Sequence, residues 1–232
     1  MSSLTHSQRL RHKIELVLPD FIAASTELVS HPSFRNFYVE MLVRMHWMIR
    51  ASISIMTTTL NRCRELAPAD PVAAAMAPYF EQHIKEEMHH DEWLLEDIEL
   101  LGIPRADVWR RLPSATAAAC VGARYYWVLN HHPVAELGAL AVMEGYPASI
   151  EAIDMMQEVT GHPREAFRTI EKHSHIDVFH RDEMLAVIDA LPLKDFHHEI
   201  LGVSALHTIE TASALYREIV DSVSCADELA AA

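Results

Sequence analysis

The chain has 232 residues, of which 50% are hydrophobic and 22% are charged, a balance typical of globular proteins and not of disordered ones. Its formal net charge of −14 would repel a phosphate backbone, so we expect no nucleic acid among its partners. No stretch is long and apolar enough to span a membrane, and the first residues lack the apolar core of a signal peptide. A cytoplasmic protein with no membrane partner is therefore expected.

Composition and the spacing of prolines and glycines predict an all-α chain. Glycine is scarce, with six residues, whereas the helix formers Ala, Leu, Met and Glu are plentiful. The predicted helices cover residues 7–17, a second piece after a break at Pro19 to residue 30, 32–66, 72–101, 108–112, 114–130, 133–160, 164–191 and 196–223. Their connectors are short, so we expect one compact bundle of about seven helices. We expect a single domain over 1–232, with residues 1–30 packed on the bundle and residues 226–232 frayed.

The 16 histidines are about three times the number expected at a usual frequency of roughly 2%, and six of them lie in two of the predicted helices, 72–101 and 164–191. In the earlier helix, residues can be sorted by face at about 100° per residue. Four acids and histidines fall on or beside its apolar side, namely His83, Glu87, His90 and Asp91. Glu86 lies further round the helix, and His89 is directed to solvent. The sorting therefore favours Glu87-x2-His90 as the inward pair.

The later helix carries a denser pattern of the same residue types. His173, Asp177 and His180 share its apolar side at spacings of four and three, whereas His175 lies off that side. Three such side chains on two consecutive turns can converge on one point beside the helix.

A third acid follows a run of small and apolar residues. Glu144 directly follows the segment 137–143 and is expected to be buried. Buried carboxylates cost several kcal/mol unless a cation compensates them, and imidazole with carboxylate suits iron or manganese better than a structural zinc site. The sequence thus predicts a metal site where these helices meet; the alternative for Glu144 is an ion pair with an arginine such as Arg124.

These motifs resemble the haem-oxygenase-like diiron oxidases and oxygenases. The resemblance is carried by His173-x3-Asp177-x2-His180, by Glu144 within Leu-Ala-Val-Met-Glu-Gly-Tyr-Pro, and by the early Glu-x2-His, and it spans about residues 38–215. The late motif is its most specific part. The resemblance implies one helical bundle holding two irons that cycle between Fe(II) and Fe(III), with O2 as co-substrate. It further implies oxidation of a small molecule such as an amino acid, an amine or a fatty acid.

The resemblance also implies a ligand set and contains one departure. The implied ligands are Glu87, His90, Glu144, His173, Asp177 and His180. Many relatives carry an acid about two turns before the early histidine, where this chain has His83. Either Glu87 replaces that acid, or His83 itself binds a metal or contacts one of the metal ligands. Asp91 is a further candidate for either of these two roles. No catalytic residue is expected beyond the metal ligands.

A substrate is expected to lie beside the metals in an apolar cavity. The candidate lining is Tyr38, His46, Arg50, Arg124 and Tyr125, each of which would also fit an ordinary core. Arg50 or Arg124 could hold a substrate carboxylate.

The sequence is also compatible with other functions. A ferritin-like diiron protein would use similar Glu-x2-His repeats but would leave His173 without a role. Thiaminase-like and pyrroloquinoline-quinone-synthase-like relatives share the scaffold without iron, and the former would need Cys63 or Cys120 as nucleophile. Haem oxygenase itself would need His46 as haem ligand, and a non-enzymatic interaction protein would need an exposed apolar stripe. A homodimer is expected from the base rate alone.

Overall fold

The computed structural model describes the backbone of residues 4–231 and the side chains of residues 4–222. In this range the chain forms ten α-helices and one 3-10 helix, with no strand. The α-helices are α1 His6–Ser30, α2 Phe34–Leu66, α3 Pro71–Glu86, α4 His90–Leu100, α5 Arg105–Arg110, α6 Ala115–Asn130, α7 Ala135–Met143, α8 Ile150–Thr160, α9 Arg168–Ala190 and α10 Asp195–Ala231. The 3-10 helix, Arg164–Phe167, leads into α9. The all-α prediction is confirmed, with more helices than the roughly seven expected.

Local side-chain chemistry decides where several helices begin. Thr5 and Gln8 form a reciprocal capping box at the start of α1. Asp70 accepts hydrogen bonds from two backbone N–H groups at the start of α3, where Pro71 supplies a fixed φ. Ser114 caps α6 in the same way. Each cap satisfies N–H groups that would otherwise lack a partner within the helix.

The predicted break at Pro19 does not occur, because α1 runs through this residue. A proline inside a helix costs about 3 kcal/mol through its missing N–H and its ring clash. Here Leu10 and Ile14 before the proline, and Ala24 and Leu28 after it, are all buried. Packing of both halves, mainly against α10, outweighs the local cost.

The predicted helix 72–101 is two helices, since the chain leaves helical geometry at residues 87–89. His89 has φ 72°, in the left-handed region that side chains other than glycine seldom adopt. This conformation ends α3 and starts α4 in a new direction.

The predicted helix 133–160 is also interrupted, between α7 and α8. Gly145 and Pro147 lie in the interruption. A Cβ atom at Gly145 would lie 2.1 Å from the carbonyl oxygen of Ala141, so the tight turn there requires glycine. Glu144 immediately precedes it, so both interruptions fall at predicted metal ligands.

Two buried apolar clusters hold the helices together, and the predicted site lies between them. Phe80 of α3 belongs to one apolar cluster, whereas Leu94 of α4 belongs to the other. Along α9, Met184 packs in the apolar cluster of Phe80, and Ile170 packs in that of Leu94. The α3–α4 junction and the middle of α9 therefore meet at the seam of the two clusters.

A buried carboxylate fixes α4 against α9. Asp97 accepts a hydrogen bond of 2.8 Å from the backbone N–H of Thr169 and one of 3.1 Å from Arg168 Nη2. This contact joins the helix that carries His90 to the first turn of the helix that carries His173.

Two further sequence predictions concern the ends of the chain. Helix α10 extends to Ala231, and the predicted fraying of residues 226–232 falls where side chains are not described or, for residue 232, outside the described residues. Fraying and the single-domain assignment stay predictions. Among the described helices, none combines the length and apolar character that crossing a membrane requires.

Candidate metal centre

The α3–α4 junction, the end of α7 and the middle of α9 bring eight acids and histidines together. They are His83, Glu86, Glu87, His90, Glu144, His173, Asp177 and His180. Six of them form two groups of three; Glu144 contacts the first group, and Asp177 lies on α9 between His173 and His180.

The first cluster consists of His83, Glu86 and His180, whose ligand atoms all lie within 4.8 Å of one another. The two imidazole rings are nearly perpendicular at 79°, with centroids 4.7 Å apart. Glu86 Oε2 lies 3.8 Å from His83 Nδ1 and 3.7 Å from His180 Nε2. Both distances exceed hydrogen-bond length, so the Glu86 oxygen faces the two imidazole nitrogens without a hydrogen bond to either. All three atoms are of the kind that binds metal ions.

The second cluster consists of Glu87, His90 and His173, again with ligand atoms within 4.8 Å of one another. His90 Nδ1 lies 3.1 Å from Glu87 Oε2, and the rings of His90 and His173 meet edge to face at 4.9 Å. His173 Nδ1 donates to the carbonyl oxygen of Thr169 at 2.9 Å. That bond fixes the tautomer and leaves Nε2 with a free lone pair, as in histidines that bind metals.

Glu144 connects the two clusters through His180. Its Oε1 is hydrogen-bonded to His83 Nε2 at 3.0 Å, and its Oε2 lies 3.9 Å from His180 Nδ1. The same His180 nitrogen lies 3.3 Å from Glu87 Oε1 in the second cluster.

The protonation of the group reflects an excess of buried negative charge. Burial, reinforced by the charges of Glu144 and Glu87, raises the pKa of Asp177 to about 8. Burial by itself would lower the pKa of His83, but its hydrogen bond to Glu144 and the surrounding carboxylates raise that pKa to about 9. Both shifts favour proton binding, and the bound protons balance negative charge that a metal cation would otherwise balance.

The donor atoms are suited to metal ions. Six buried atoms of this group make no hydrogen bond of acceptable geometry with the described residues: His83 Nδ1, Glu86 Oε2, His90 Nδ1, Glu144 Oε2, Asp177 Oδ1 and His180 Nδ1. Two of them, His90 Nδ1 and His180 Nδ1, lie near Glu87 oxygens at 3.1 and 3.3 Å, but not in hydrogen-bond geometry. A buried polar atom without a partner costs about 1–3 kcal/mol, and six in one place call for a common partner. Nitrogen and carboxylate donors without thiolate fit first-row ions such as iron or manganese.

All six residues of the ligand set implied by the resemblance lie in this group, together with His83. Glu86 was set aside in the sequence because face sorting treated residues 72–101 as one helix; in the structure Glu86 ends α3 and lies three residues after His83, near the same cluster. Asp91 belongs to neither cluster. His89 and His175 are exposed, as expected. The metal-binding roles themselves stay predictions.

Two residues of the predicted substrate lining have other partners. Tyr38 stacks on Phe167 with ring centroids 4.4 Å apart and donates to the carbonyl oxygen of Ala166 at 2.9 Å. Tyr125 donates to Ser54 Oγ at 2.8 Å. Neither contact leads to the histidine clusters.

Arg124 is not available to a substrate carboxylate, which corrects one sequence expectation. It is fully buried and forms a two-point ion pair with Glu136, which is also fully buried. Its Nη1 additionally lies 3.4 Å from Met143 Sδ. The pairing of Arg124 with Glu144 that the sequence left open is likewise absent from the described residues.

A third group, Asp70, His132 and His197, also brings potential ligands within 4.8 Å of one another. Its hydrogen bonds indicate a structural role. His132 Nδ1 accepts from the backbone N–H of Val134, and His197 Nδ1 accepts from that of Lys194. Each neutral ring then carries its proton on Nε2, which cannot bind a metal, and His132 Nε2 donates to Asp70 at 3.0 Å.

Comparison with known proteins identifies the fold. The solved structures that are similar to this chain include these three. They are a domain of unknown function with a haem oxygenase-like fold from Shewanella denitrificans (TM-score 0.78, 14% identity, covering 94% of this chain and 91% of that one), a CADD-like protein of unknown function from Nostoc punctiforme (0.70, 13%, 94% and 97%), and a TenA homolog from Pseudomonas syringae pv. tomato (0.65, 12%, 89% and 92%). No curated protein matches. At these identities the likeness is one of fold, and the fold is haem-oxygenase-like.

A family model for iron-containing redox enzymes matches residues 36–216. That range contains both histidine clusters, Glu144 and Asp177, and more than half of the chain. The donor set described above fits the iron that gives the family its description. This chain belongs to the family of iron-containing redox enzymes.

Proposed function

We propose that this protein is a non-haem diiron oxidase or oxygenase that uses O2 to oxidise a small organic molecule. The six unpartnered buried nitrogen and oxygen atoms shared by two adjacent clusters are the observation that carries this proposal. Bound iron would supply electrons for the reduction of O2 by changing between Fe(II) and Fe(III). Manganese would suit the same donors.

The two clusters divide the work of holding the ions. His83, Glu86 and His180 would hold one ion, and Glu87, His90 and His173 the other. Glu144 lies against His83 and His180 of the first cluster, and Glu87 of the second cluster lies 3.3 Å from the same His180, so these two carboxylates would compensate charge where the clusters meet. Two metal ions held close together need carboxylates between them, because the two positive charges would otherwise repel each other.

Neighbouring aromatic rings hold two of the histidines in place. Tyr79 stacks on His83 with ring planes 15° apart and centroids at 5.1 Å, and Trp93 stacks on His90 at 4.0 Å. Lys172 Nζ lies 3.7 Å from the centre of the Trp93 ring. These contacts restrict ring rotation, so the nitrogens keep their direction when metal binds.

A metal-independent, thiaminase-like activity is the second candidate, since a TenA homolog shares the fold. It would need a thiolate nucleophile. Burial raises the pKa of the Cys63 thiol to about 12, and burial also raises that of Cys120, so both are held as thiols. Neither residue lies in the histidine clusters. The haem-oxygenase-like fold also argues against the ferritin-like alternative.

Oxygen consumption by the Fe(II)-loaded protein tests the proposal. We expect consumption to rise when the right amino acid, amine or fatty acid is added, and to disappear in His180→Ala. His175→Ala is the matched control, since His175 is exposed on the same helix and outside both clusters. Equal oxygen consumption by the two variants would contradict the proposal, and thiamine cleavage by the metal-free protein would favour the second candidate.

A further inference from the structure

Two adjacent cavities lie at the corner of the fold where α1 and α10 begin. Their volumes are about 290 Å³ and about 400 Å³, and both are lined by Leu4, Arg9 and His198. Asp189 of α9 lines the larger cavity and follows His180 by nine residues, which is about 14 Å of helix. The metal centre therefore does not account for these cavities.

The smaller cavity is lined by basic, imidazole and apolar side chains, with no acid among the described residues. The lining consists of Leu4, Arg9, Leu10, His12, Lys13, His198 and Leu201. No carboxylate of the described side chains comes within 4.0 Å of Arg9, His12 or Lys13. In a chain with a net charge of −14, a cavity lined in this way is suited to an anion.

The ammonium group of Lys13 is fixed in position but only partly hydrogen-bonded. Its Nζ donates to the carbonyl oxygen of His198 at 2.8 Å. It also lies against α10 where Gly202 leaves room, since a Cβ atom at Gly202 would be 2.7 Å from Nζ. An ammonium has three N–H donors, and the described residues supply an acceptor for one of them. The other two are available to a ligand.

His6 and His198 provide a further donor at the same corner. His6 Nδ1 lies 2.9 Å from His198 Nε2, so the two rings share a hydrogen bond. Whichever ring donates in that bond, the neutral pair keeps one more ring N–H outside it. That N–H is a second kind of donor for an anion beside Lys13.

The direction of the two helices favours an anion as well. Helices α1 and α10 run parallel, because His6 contacts His198 near their starts and Asp20 contacts Arg217 further along. The positive ends of both helix dipoles therefore lie at this corner.

The acids of the larger cavity leave these cations uncompensated. Asp189 accepts hydrogen bonds from the backbone N–H and the Oγ of Ser7, at 2.7 and 2.8 Å, and so fixes the end of α9 to the start of α1. Asp195, in the first turn of α10, forms no ion pair with a described side chain.

We propose that the cavity between α1 and α10 binds the phosphate group of a small phosphorylated molecule. Arg9 and Lys13 supply two full positive charges, which match a phosphate dianion better than a carboxylate. The pair of His6 and His198 donates the further N–H, and the apolar part of the ligand lies against the three leucines of the smaller cavity. The site is independent of the proposed oxidase.

Calorimetric titration of the full-length protein at pH 8, where a phosphate monoester is a dianion, tests the site. The probes are butyl phosphate, butanoate and inorganic phosphate. We expect butyl phosphate to bind about tenfold or more tightly than butanoate, because the second negative charge meets a second cation. It should also bind about threefold or more tightly than inorganic phosphate, because the butyl chain covers the leucines. Absence of butyl phosphate binding, or equal affinity for either comparison compound, would overturn the inference.

Charge-removing variants assign the site to these residues. Arg9→Met and Lys13→Met should each weaken the binding of butyl phosphate about tenfold or more. Arg11→Met is the matched control, because Arg11 lies between them on α1, lines neither cavity and pairs with Glu15 at 3.5 Å. An equal loss of affinity in Arg11→Met would overturn the inference.

Two surface variants keep the test independent of folding. Arg9 and Leu4 are exposed, so Arg9→Met and Leu4→Ser should both keep the Tm of the parent. Leu4→Ser should weaken the binding of butyl phosphate but not of inorganic phosphate, because it removes part of the apolar wall alone. If Arg9→Met keeps the parent affinity for butyl phosphate, the cavity is not the site.

Discussion

His83 Nε2 lies 3.0 Å from Glu144 Oε1, and this contact joins the end of α3 to the end of α7. At the opposite ends of the same two helices, His132 donates to Asp70 at 3.0 Å. Asp70 caps α3, and His132 lies in the connector that leads into α7. Both helices are thus fixed at both ends, so His83 and Glu144 are positioned before any metal arrives.

Glu86 should bind metal although face sorting of the sequence excludes it. Glu86→Gln should weaken one of two Fe(II) binding steps about tenfold or more, because it removes a charged ligand of the first cluster. Glu81→Gln is the control, since Glu81 lies on the same helix and pairs with Arg64 on the surface. Anaerobic Fe(II) titration measures both; equal affinities in the two variants would remove Glu86 from the site.

Acid should destabilise the protein through His132. Burial lowers the pKa of His132; the nearby Asp70 raises this pKa, and Arg62 lowers it further. Burial also lowers the pKa of His197. A histidine whose folded-state pKa is lowered stabilises the fold above its unfolded pKa of about 6.5, and this stability is lost as the pH falls through the folded-state value. The Tm should therefore fall between about pH 7 and about pH 5.

The variant His132→Asn isolates this effect. It removes the titrating ring, so its Tm should be lower than that of the parent near pH 7 but should fall less on acidification. Parallel Tm curves for the parent and His132→Asn over this range would show that His132 is not the acid-sensitive group.

Gly138 should be needed for the close approach of α7 and α10. A Cβ atom at this position would lie 2.3 Å from the carbonyl oxygen of Leu201. Gly138→Ala should lower the free energy of unfolding by about 1–3 kcal/mol, because backbone must shift. Gly122→Ala is the control: nothing lies within 4 Å of the added Cβ, and the change in α6 should stabilise the protein by about 0.5–1 kcal/mol. Chemical denaturation measures both, and a stable Gly138→Ala protein would contradict the packing described.

The left-handed backbone at His89 should be a source of strain. His89→Gly should relieve about 1 kcal/mol, which for a chain of this size raises Tm by about 2–4 °C, whereas His89→Val should lower Tm. A thermal melt of the metal-free protein distinguishes them. If His89→Gly melts below the parent, the junction between α3 and α4 does not have the conformation described.

The sequence predicts the late motif better than the early one, for a physical reason. Helix α9 is continuous, so spacings of four and three bring His173, Asp177 and His180 to one side of it. The early motif crosses a junction whose turning residue, His89, is neither glycine nor proline, so no local signal marks the break. Glu86 precedes the break, and only the end of α3 there separates its face from the apolar face of α4 that the sorting used.

The two arginines proposed for a substrate carboxylate show a second limit. Arg50 and Arg124 both lie on predicted helices, and nothing in the residues around them in the sequence shows which of the two has an acidic partner. Arg124 of α6 is neutralised by Glu136, which lies in the first turn of the next helix, α7. Arg50 meets Trp109 instead of an acid. Which arginine stays available depends on tertiary packing, which periodicity does not contain.

Iron bound per chain, measured by anaerobic Fe(II) titration of the metal-free protein, tests the diiron centre most directly. We expect the parent and His175→Ala to bind two irons per chain and His180→Ala to lose at least one, since His180 lies against both clusters. A parent protein that binds no iron, or iron binding that His180→Ala leaves unchanged, would contradict the diiron centre.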